Sequence, residues 1–453
     1  MMNNKVLLPI ALFLFFLVVS STFGPMINNG DYWRVTASEG FEIPARTTQL
    51  KDFYPFSHSY HYNYTTLGVI ALAWAVILVD LGSSGFYTPL IFITLNLIFF
   101  VGVFNLVKRS SFSLKNAIAV FIFLAFYAVF GFYFKSFYEE AAILAITPWL
   151  YGGMQNVSKR HYLLFNVASV AVLLAKVQMI IMAPFLLGFI LFYGDMNKDR
   201  KKVLFTCMLI ILASFLSMKR EAWVSVYDNV YNRYYNGIGW SKSDVYQWPV
   251  HDFNARRSYF EKNQAFFQQK TAPFENNPNR PLLGTSYWPT GHKLATISQG
   301  LTNTSEQKKE FQDIVDQGKL TNFIGFFIAH PLFLGQYLKN IYLTTMVSDY
   351  RLNYLRTQSS LSVLPKEIVR LDDFALTRIG YIYFIFAFVV IAIRPNFKKG
   401  MLAAYIFLGA PIVCVMGDGF FEFEKHMEAY FMLLPALSYL LLHEFAIKNK
   451  QIG

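Results

Sequence analysis

Apolar runs recur along this chain at lengths that suit a lipid bilayer. They fall at 6–24, 86–107, 116–134, 141–157, 162–176, 178–194, 203–219, 376–393, 400–416 and 427–446, about ten candidate spans. A helix needs roughly 20 apolar residues to cross about 30 Å of hydrocarbon. The short pair 162–176 and 178–194 reads as a hairpin turning at Lys176-Val177-Gln178. Two further apolar stretches, 65–81 and 322–346, are interrupted by or end in polar residues: Asp80 closes the first, and His330-Pro331 breaks the second. They are expected as helices on, or dipping into, the outer face.

The polar segments set orientation. Lys108, Arg109 and Lys115 lie between two spans, and Lys159 and Arg160 between the next pair. Lys198, Arg200, Lys201 and Lys202 follow the sixth span, Arg394, Lys398 and Lys399 the eighth, and Lys448 and Lys450 the last. With both termini inside, all five clusters fall on the cytoplasmic face, as the positive-inside rule requires. The first run, which begins at Lys5, lacks a convincing small-residue cleavage site and reads as an uncleaved span.

The predicted fold class is therefore an all-α polytopic membrane protein. It has about ten transmembrane helices, interfacial helices on the outer face and one large loop-rich outer domain. The expected organisation is an N-terminal transmembrane module (1–219) that includes the outer loop 25–85. An extracytoplasmic domain (220–375) and a C-terminal transmembrane module (376–453) follow.

Composition strengthens this picture. Of 453 residues, 55% are hydrophobic and only 15% charged, against about 25% charged in soluble domains. The net charge of +12 sits in short loops, so nucleic acid is not the expected partner; the bilayer is. Cys207 and Cys414 each lie inside an apolar run and read as buried small side chains.

In this orientation four polar motifs converge on the outer face. They are Asn28-Asn29-Gly30-Asp31-Tyr32-Trp33-Arg34, Lys135-Ser136-Phe137-Tyr138-Glu139-Glu140, Lys176-Val177-Gln178, and 417–426 with Asp418, Glu422, Glu424, Lys425 and His426. Any one could be solvated interface, and Lys176 could be a snorkelling lysine. Four together at membrane depth read as a site. Acids beside cations suit transfer of a group from an anionic donor to a hydroxyl. A carboxylate takes the acceptor's proton, and Lys, Arg or His holds the departing phosphate. No cofactor is required by this chemistry. A divalent cation is the alternative if 417–426 is helical, because Asp418, Glu422 and His426 then share one face. Trp240, Trp248 and Trp288 in the large loop could stack on sugar rings or simply anchor and pack.

Taken together, Asn28–Arg34, Phe137–Glu140, Lys176–Gln178 and Gly417–His426 resemble the motifs of bacterial GT-C type glycosyltransferases, with WsfD-like hexose transferases of surface-glycan assembly the nearest pattern. The His330-Pro331 pair in the large loop fits the same pattern. The second motif has two adjacent acids where the family has one, and the third has Val177 where a proline often stands. The resemblance implies a polyprenyl-phosphate sugar donor and a glycan acceptor on the outer face of a bacterial cytoplasmic membrane. It implies Asp31 as catalytic base, with Glu140 and Glu139 as further catalytic acids. Lys176, Arg34, Lys425 and His426 become donor-phosphate ligands, and Gln178, Asp418, Glu422, Glu424, His330 and Trp288 acceptor-binding or structural residues. A polysaccharide polymerase or ligase would rely on an arginine-rich outer loop. A transporter would show an inverted repeat and broken mid-membrane helices. The acids at 31 and 139–140 favour the single-sugar transferase over the first, and against the second the chain shows no repeat and its polar motifs lie at one face instead of the midplane.

Overall fold

Inside a bilayer only a helix or a closed barrel satisfies every backbone amide and carbonyl, and the apolar runs fold as helices. The computed structural model describes residues 53–56, 65–108, 114–136, 138–219, 324, 325, 328, 331–347, 350, 366–393, 396–418 and 423–442. Strand β1 (Phe53–Pro55) pairs antiparallel with β2 (Gly85–Tyr87) around helix α1 (Thr66–Asp80). Then come α2 (Pro89–Lys108), α3 (Leu114–Phe130) with a 3₁₀ turn at Gly131–Lys135, α4 (Glu139–Val157) and α5 (Leu163–Ala175). A second 3₁₀ turn (Val177–Ile181) leads into α6 (Met182–Tyr193), and α7 is Arg200–Lys219. Beyond the large loop are α8 (Pro331–Val347), α9 (Lys366–Ala392), α10 (Phe397–Asp418), α11 (Phe423–Phe431) and α12 (Leu434–Leu437).

Among the described residues, 5 helical stretches are long and apolar enough to cross a membrane: Pro89–Leu106, Asn116–Lys135, Arg200–Met218, Phe374–Ala392 and Phe397–Cys414. Leu163–Ala175, Val177–Tyr193 and His426–Leu442 are shorter apolar helices. The expected first span (6–24), the rest of the outer loop before residue 53 and the large domain up to residue 323 lie outside the described residues. On α7 the side chains of Phe205, Met208, Ile211 and Phe215 stand exposed, a stripe whose natural solvent is lipid.

Side-chain pairs fix the helix directions. In α2 and α3, Asn116 reaches the Leu106 carbonyl, Tyr127 donates to Asn96, and the Lys135 ammonium sits 5.1 Å above the Phe92 ring. These two helices are antiparallel. Helix α4 runs parallel to α2: Trp149 donates to the Ile98 carbonyl, and Gly152 packs against Leu106. The α5–α6 pair is the expected hairpin. Phe165 and Phe189 stack at 5.5 Å, and the Tyr162 hydroxyl accepts from the Asp195 amide at 3.3 Å across its open end. Helix α10 lies antiparallel to α6, with Lys398 5.7 Å from the Phe192 ring, Leu402 against Gly188, and Gly409 against Ile181.

These directions sort the charges. One end of the bundle carries Lys108, Lys159, Arg160, Lys198, Arg200, Lys201, Lys202, Lys398 and Lys399. The other carries Lys135, Glu139, Glu140, Lys176 and the start of α11. Two helices, α4 and α11, run down the middle. Nearly every residue of α4 is buried, which is why a helix holding Thr147, Gln155 and Asn156 can stand among the spans: neighbours shield it from lipid.

The two apolar stretches expected at the outer face behave differently. In α1, capped by the Thr65 hydroxyl, Thr66 donates to the Ala171 carbonyl at 2.6 Å and Trp74 to Thr94 at 2.7 Å. Ala171 and Thr94 each lie about one and a half turns from the Lys176 end of their helices, so α1 crosses that end instead of traversing the bundle. Of the stretch 322–346, the described part is mainly α8. The C-terminal half of α8 packs at mid-depth, with Tyr342 beside Phe384 at 6.1 Å and bonded to the Leu408 carbonyl at 3.1 Å. Thr345 lies against Gly380. Gly380 has no side chain to hold the two backbones apart, and this lets α8 sink between α9 and α10.

At the basic end, α4 finishes in a Schellman turn. The His161 amide bonds the Asn156 carbonyl, the Arg160 amide bonds the Val157 carbonyl, and Arg160 takes φ 66°. That left-handed conformation disfavours a side chain. Here the side chain has a use: Arg160 Nε donates to Asp199 at 2.6 Å, and Lys202 adds a second bond at 3.1 Å. These donors, Arg160 first, hold the Asp199 carboxyl at about 2, below its ordinary 3.8, against the opposing effect of desolvation.

Candidate functional site

Lys176 breaks what would otherwise be one long apolar helix. Its backbone is extended, φ −151° and ψ 142°, so α5 stops at Ala175 and the 3₁₀ turn starts at Val177. The 13 residues of α5 span only about 20 Å, so the hairpin tip lies below the level reached by the longer helices. A lysine at that depth is costly unless paired. It is paired: the ammonium, only 8% exposed, bonds Glu140, which is 1% exposed, and lies 3.1 Å from His426 Nδ1.

Glu140 is available there because α4 begins at Glu139. The helix N-terminus carries partial positive charge and favours acids in its first turn, and Glu139 and Glu140 occupy that turn, both buried. His426 comes from the first turns of α11. That helix is pinned into place by Tyr430, whose hydroxyl donates to the Gln178 carbonyl at 2.7 Å, and by Thr147, which donates to the Met432 carbonyl at 3.2 Å. The tip of the hairpin, the start of α4 and α11 are thus locked together around one buried network.

A second buried pair extends it. Tyr133, from the 3₁₀ turn after α3, donates to Glu428 on α11. Neither Tyr133 nor Glu428 was expected from the sequence. Tyr133 sits among aromatics and carries no signal of its own. Glu428 does: it is an acid at the head of the apolar run 427–446, and an acid there is a functional candidate by default.

Three of the expected site residues, Glu140, Lys176 and His426, therefore meet. Glu139 and Gln178 stand beside them in sequence and are buried with them. Asp31, Arg34, Glu422, His330 and Trp288 lie outside the described residues, as do Trp240 and Trp248. Asp418 closes α10, and Glu424 and Lys425 lie in the first turn of α11; for these three the backbone alone is described. The expected helical face of Asp418, Glu422 and His426 is interrupted at least in part, since 419–422 fall between α10 and α11 and outside the described residues. Among the described residues, no group of three or more His, Cys, Asp or Glu is placed to hold a metal.

Chemically the cluster is a fixed cation in a low-dielectric setting. A lysine ammonium has three N–H donors. One faces Glu140, and the ammonium lies beside His426 Nδ1, which takes a second N–H when that nitrogen is the acceptor. Lipid-facing helices, basic loops at one end and a buried charged network at the other define a multi-pass membrane protein with a recessed polar site. A family match agrees with that class: residues 3–239 match the family described as the YfdI N-terminal transmembrane domain, and the chain belongs to this family. The matched segment contains α1 to α7, with Glu139, Glu140, Lys176 and Gln178. No curated protein and no solved structure matches the chain.

Proposed function

We propose that this chain is a membrane glycosyltransferase of GT-C type. It would move a single hexose from a polyprenyl-phosphate donor to a surface glycan or lipid-linked acceptor. One observation carries the reading: the buried Lys176 ammonium, oriented by Glu140 and His426 at the end of the bundle opposite the basic loops. Membership of the YfdI N-terminal transmembrane family and the four motifs read from the sequence support it.

By the positive-inside rule the basic end is cytoplasmic, so the site opens to the outer face, where a lipid-linked sugar presents its head group. The donor enters from the bilayer. The recessed hairpin tip gives its phosphate a polar place below the membrane surface, and a further Lys176 N–H bonds a phosphate oxygen. Arg34 and Lys425 supply further positive charge. Asp31 takes the proton from the acceptor hydroxyl. The acceptor oxygen bonds the anomeric carbon as the bond from that carbon to the phosphate oxygen breaks, so the configuration inverts and polyprenyl phosphate leaves. Glu140 holds Lys176 in place, and Glu139 and the acids near 418–424 balance the cations. No cofactor is needed for this step.

The test is hexose transfer in membranes from cells making the wild type or Asp31→Asn, supplied with polyprenyl-phosphate hexoses. Loss of transfer at equal expression supports Asp31 as the base. Unchanged transfer moves the role of base to Glu139 or Glu140. Absence of transfer by the wild type with every donor removes the glycosyltransferase reading.

A further inference from the structure

Gln178 presents a different kind of signal from the charged cluster. It lies two residues from Lys176 in the 3₁₀ turn, is 9% exposed, and its backbone carbonyl is engaged by Tyr430. Its side-chain carbonyl, fully buried, has no hydrogen-bond partner among the described residues. Buried polar groups are nearly always satisfied, and a buried acceptor left without a donor is destabilising. The backbone that carries it is held on both sides, by the Tyr430 bond to the Gln178 carbonyl and by the Lys176–Glu140 pair. A side-chain carbonyl left this way can accept a hydrogen bond from a donor group that a ligand brings, a hydroxyl among them.

We infer that Gln178 is a specificity-determining residue: its side-chain carbonyl accepts a hydrogen bond from a ring hydroxyl of the hexose that the donor delivers. This rests on the glycosyltransferase reading. The assignment to the donor sugar follows from position. Lys176, two residues away, faces the donor phosphate, and the ring attached to that phosphate is the hydroxyl-bearing group within reach of the same turn. An ion pair could be rebuilt around many anions. A single unsatisfied amide beside a phosphate site selects a sugar by where its hydroxyls stand.

The experiment pairs a substrate change with a side-chain change. Wild type and Gln178→Met, in proteoliposomes, are given the polyprenyl-phosphate hexose that the wild type uses and its monodeoxy forms, one for each ring hydroxyl. One deoxy donor lowers wild-type kcat/KM by about 10- to 100-fold, the effect of leaving one buried group unpaired. Gln178→Met loses activity toward the full sugar by a similar factor and no longer distinguishes that deoxy donor from it. In parallel, Gln178→Met melts at or above the wild-type temperature without donor, because an apolar side chain replaces an unsatisfied amide. A variant that keeps the wild-type preference at every ring position overturns the proposal, as does a variant that melts lower and loses all donors equally, which marks an internal structural amide. A wild type that uses no polyprenyl-phosphate hexose fails the underlying reading instead, and the proposal falls with it.

Discussion

Breaking the Lys176–Glu140 pair from one side should already cost about as much as removing both partners. The side chains are 8% and 1% exposed, so the small values typical of surface ion pairs do not apply. At hydrogen-bond contact and an effective dielectric of about 20, two unit charges attract by about 5 kcal/mol. Desolvation of both ions offsets much of that, which is why buried pairs contribute little net stability yet cost about 3–5 kcal/mol when one partner is deleted. Lys176→Met leaves Glu140 charged at the head of α4, with His426 as a poor substitute. Glu140→Gln leaves an ammonium against a neutral amide. Each single variant should lose about 3–5 kcal/mol, and the double variant about as much as one single, so the coupling equals the other single, about 3–5 kcal/mol. The assay is unfolding by SDS titration in mixed micelles for the four proteins of the cycle. Additive single effects, with coupling under about 0.5 kcal/mol, would refute the reasoning and show that the two groups do not share a dry environment.

Other consequences follow from particular contacts. Tyr133→Phe removes one hydrogen bond to the buried Glu428 carboxylate and should cost about 1.5–3 kcal/mol in the same titration, with Glu428→Gln equal or worse. A Cβ at Gly380 would collide with the Thr345 carbonyl, so Gly380→Ala should push α8 away from α9. Cross-linking between cysteines placed at Tyr342 and Phe384 should then fall. At the basic end, the Asp199 carboxyl is held near 2, below its ordinary 3.8. The stability that it contributes is present above about pH 4 and is lost as pH falls through about 2. Proteolysis of the α6–α7 connection should rise over that window in the wild type, and should be raised and independent of pH in Asp199→Asn.

The helical core was legible because its physics is one-dimensional. Apolar run length marks the helices, 5 of which among the described residues are long and apolar enough to cross a membrane, and the side-chain pairs place the basic segments around Lys108, Lys159, 198–202 and Lys398 at one end of the bundle. The hairpin was legible for the same reason, since a lysine and a glutamine inside an apolar run can only mark a turn or a site. Partners were not legible. Lys176 was expected to meet a phosphate, and nothing in the spacing says that Glu140 and His426, 36 and 250 positions away, meet it first. The depth of α8 was also hidden. His330-Pro331 looked like an interfacial break; His330 lies outside the described residues, and the described part of α8 runs from Pro331. What draws α8 in is Gly380, a glycine with no local signal. Glu428 was visible as an acid in an apolar run but was absorbed into the last span, because its partner Tyr133 is one aromatic among many.

The central claim is that the Lys176 cluster binds the phosphate of a lipid-linked sugar. The most direct measurement is transfer of labelled hexose from polyprenyl phosphate in proteoliposomes, comparing wild type, Lys176→Met and Lys176→Arg at matched folded protein. The account predicts transfer by the wild type, at least a 100-fold loss in Lys176→Met from the missing charge-assisted bond, and partial recovery in Lys176→Arg. Full activity in Lys176→Met, with the wild type active, would contradict it.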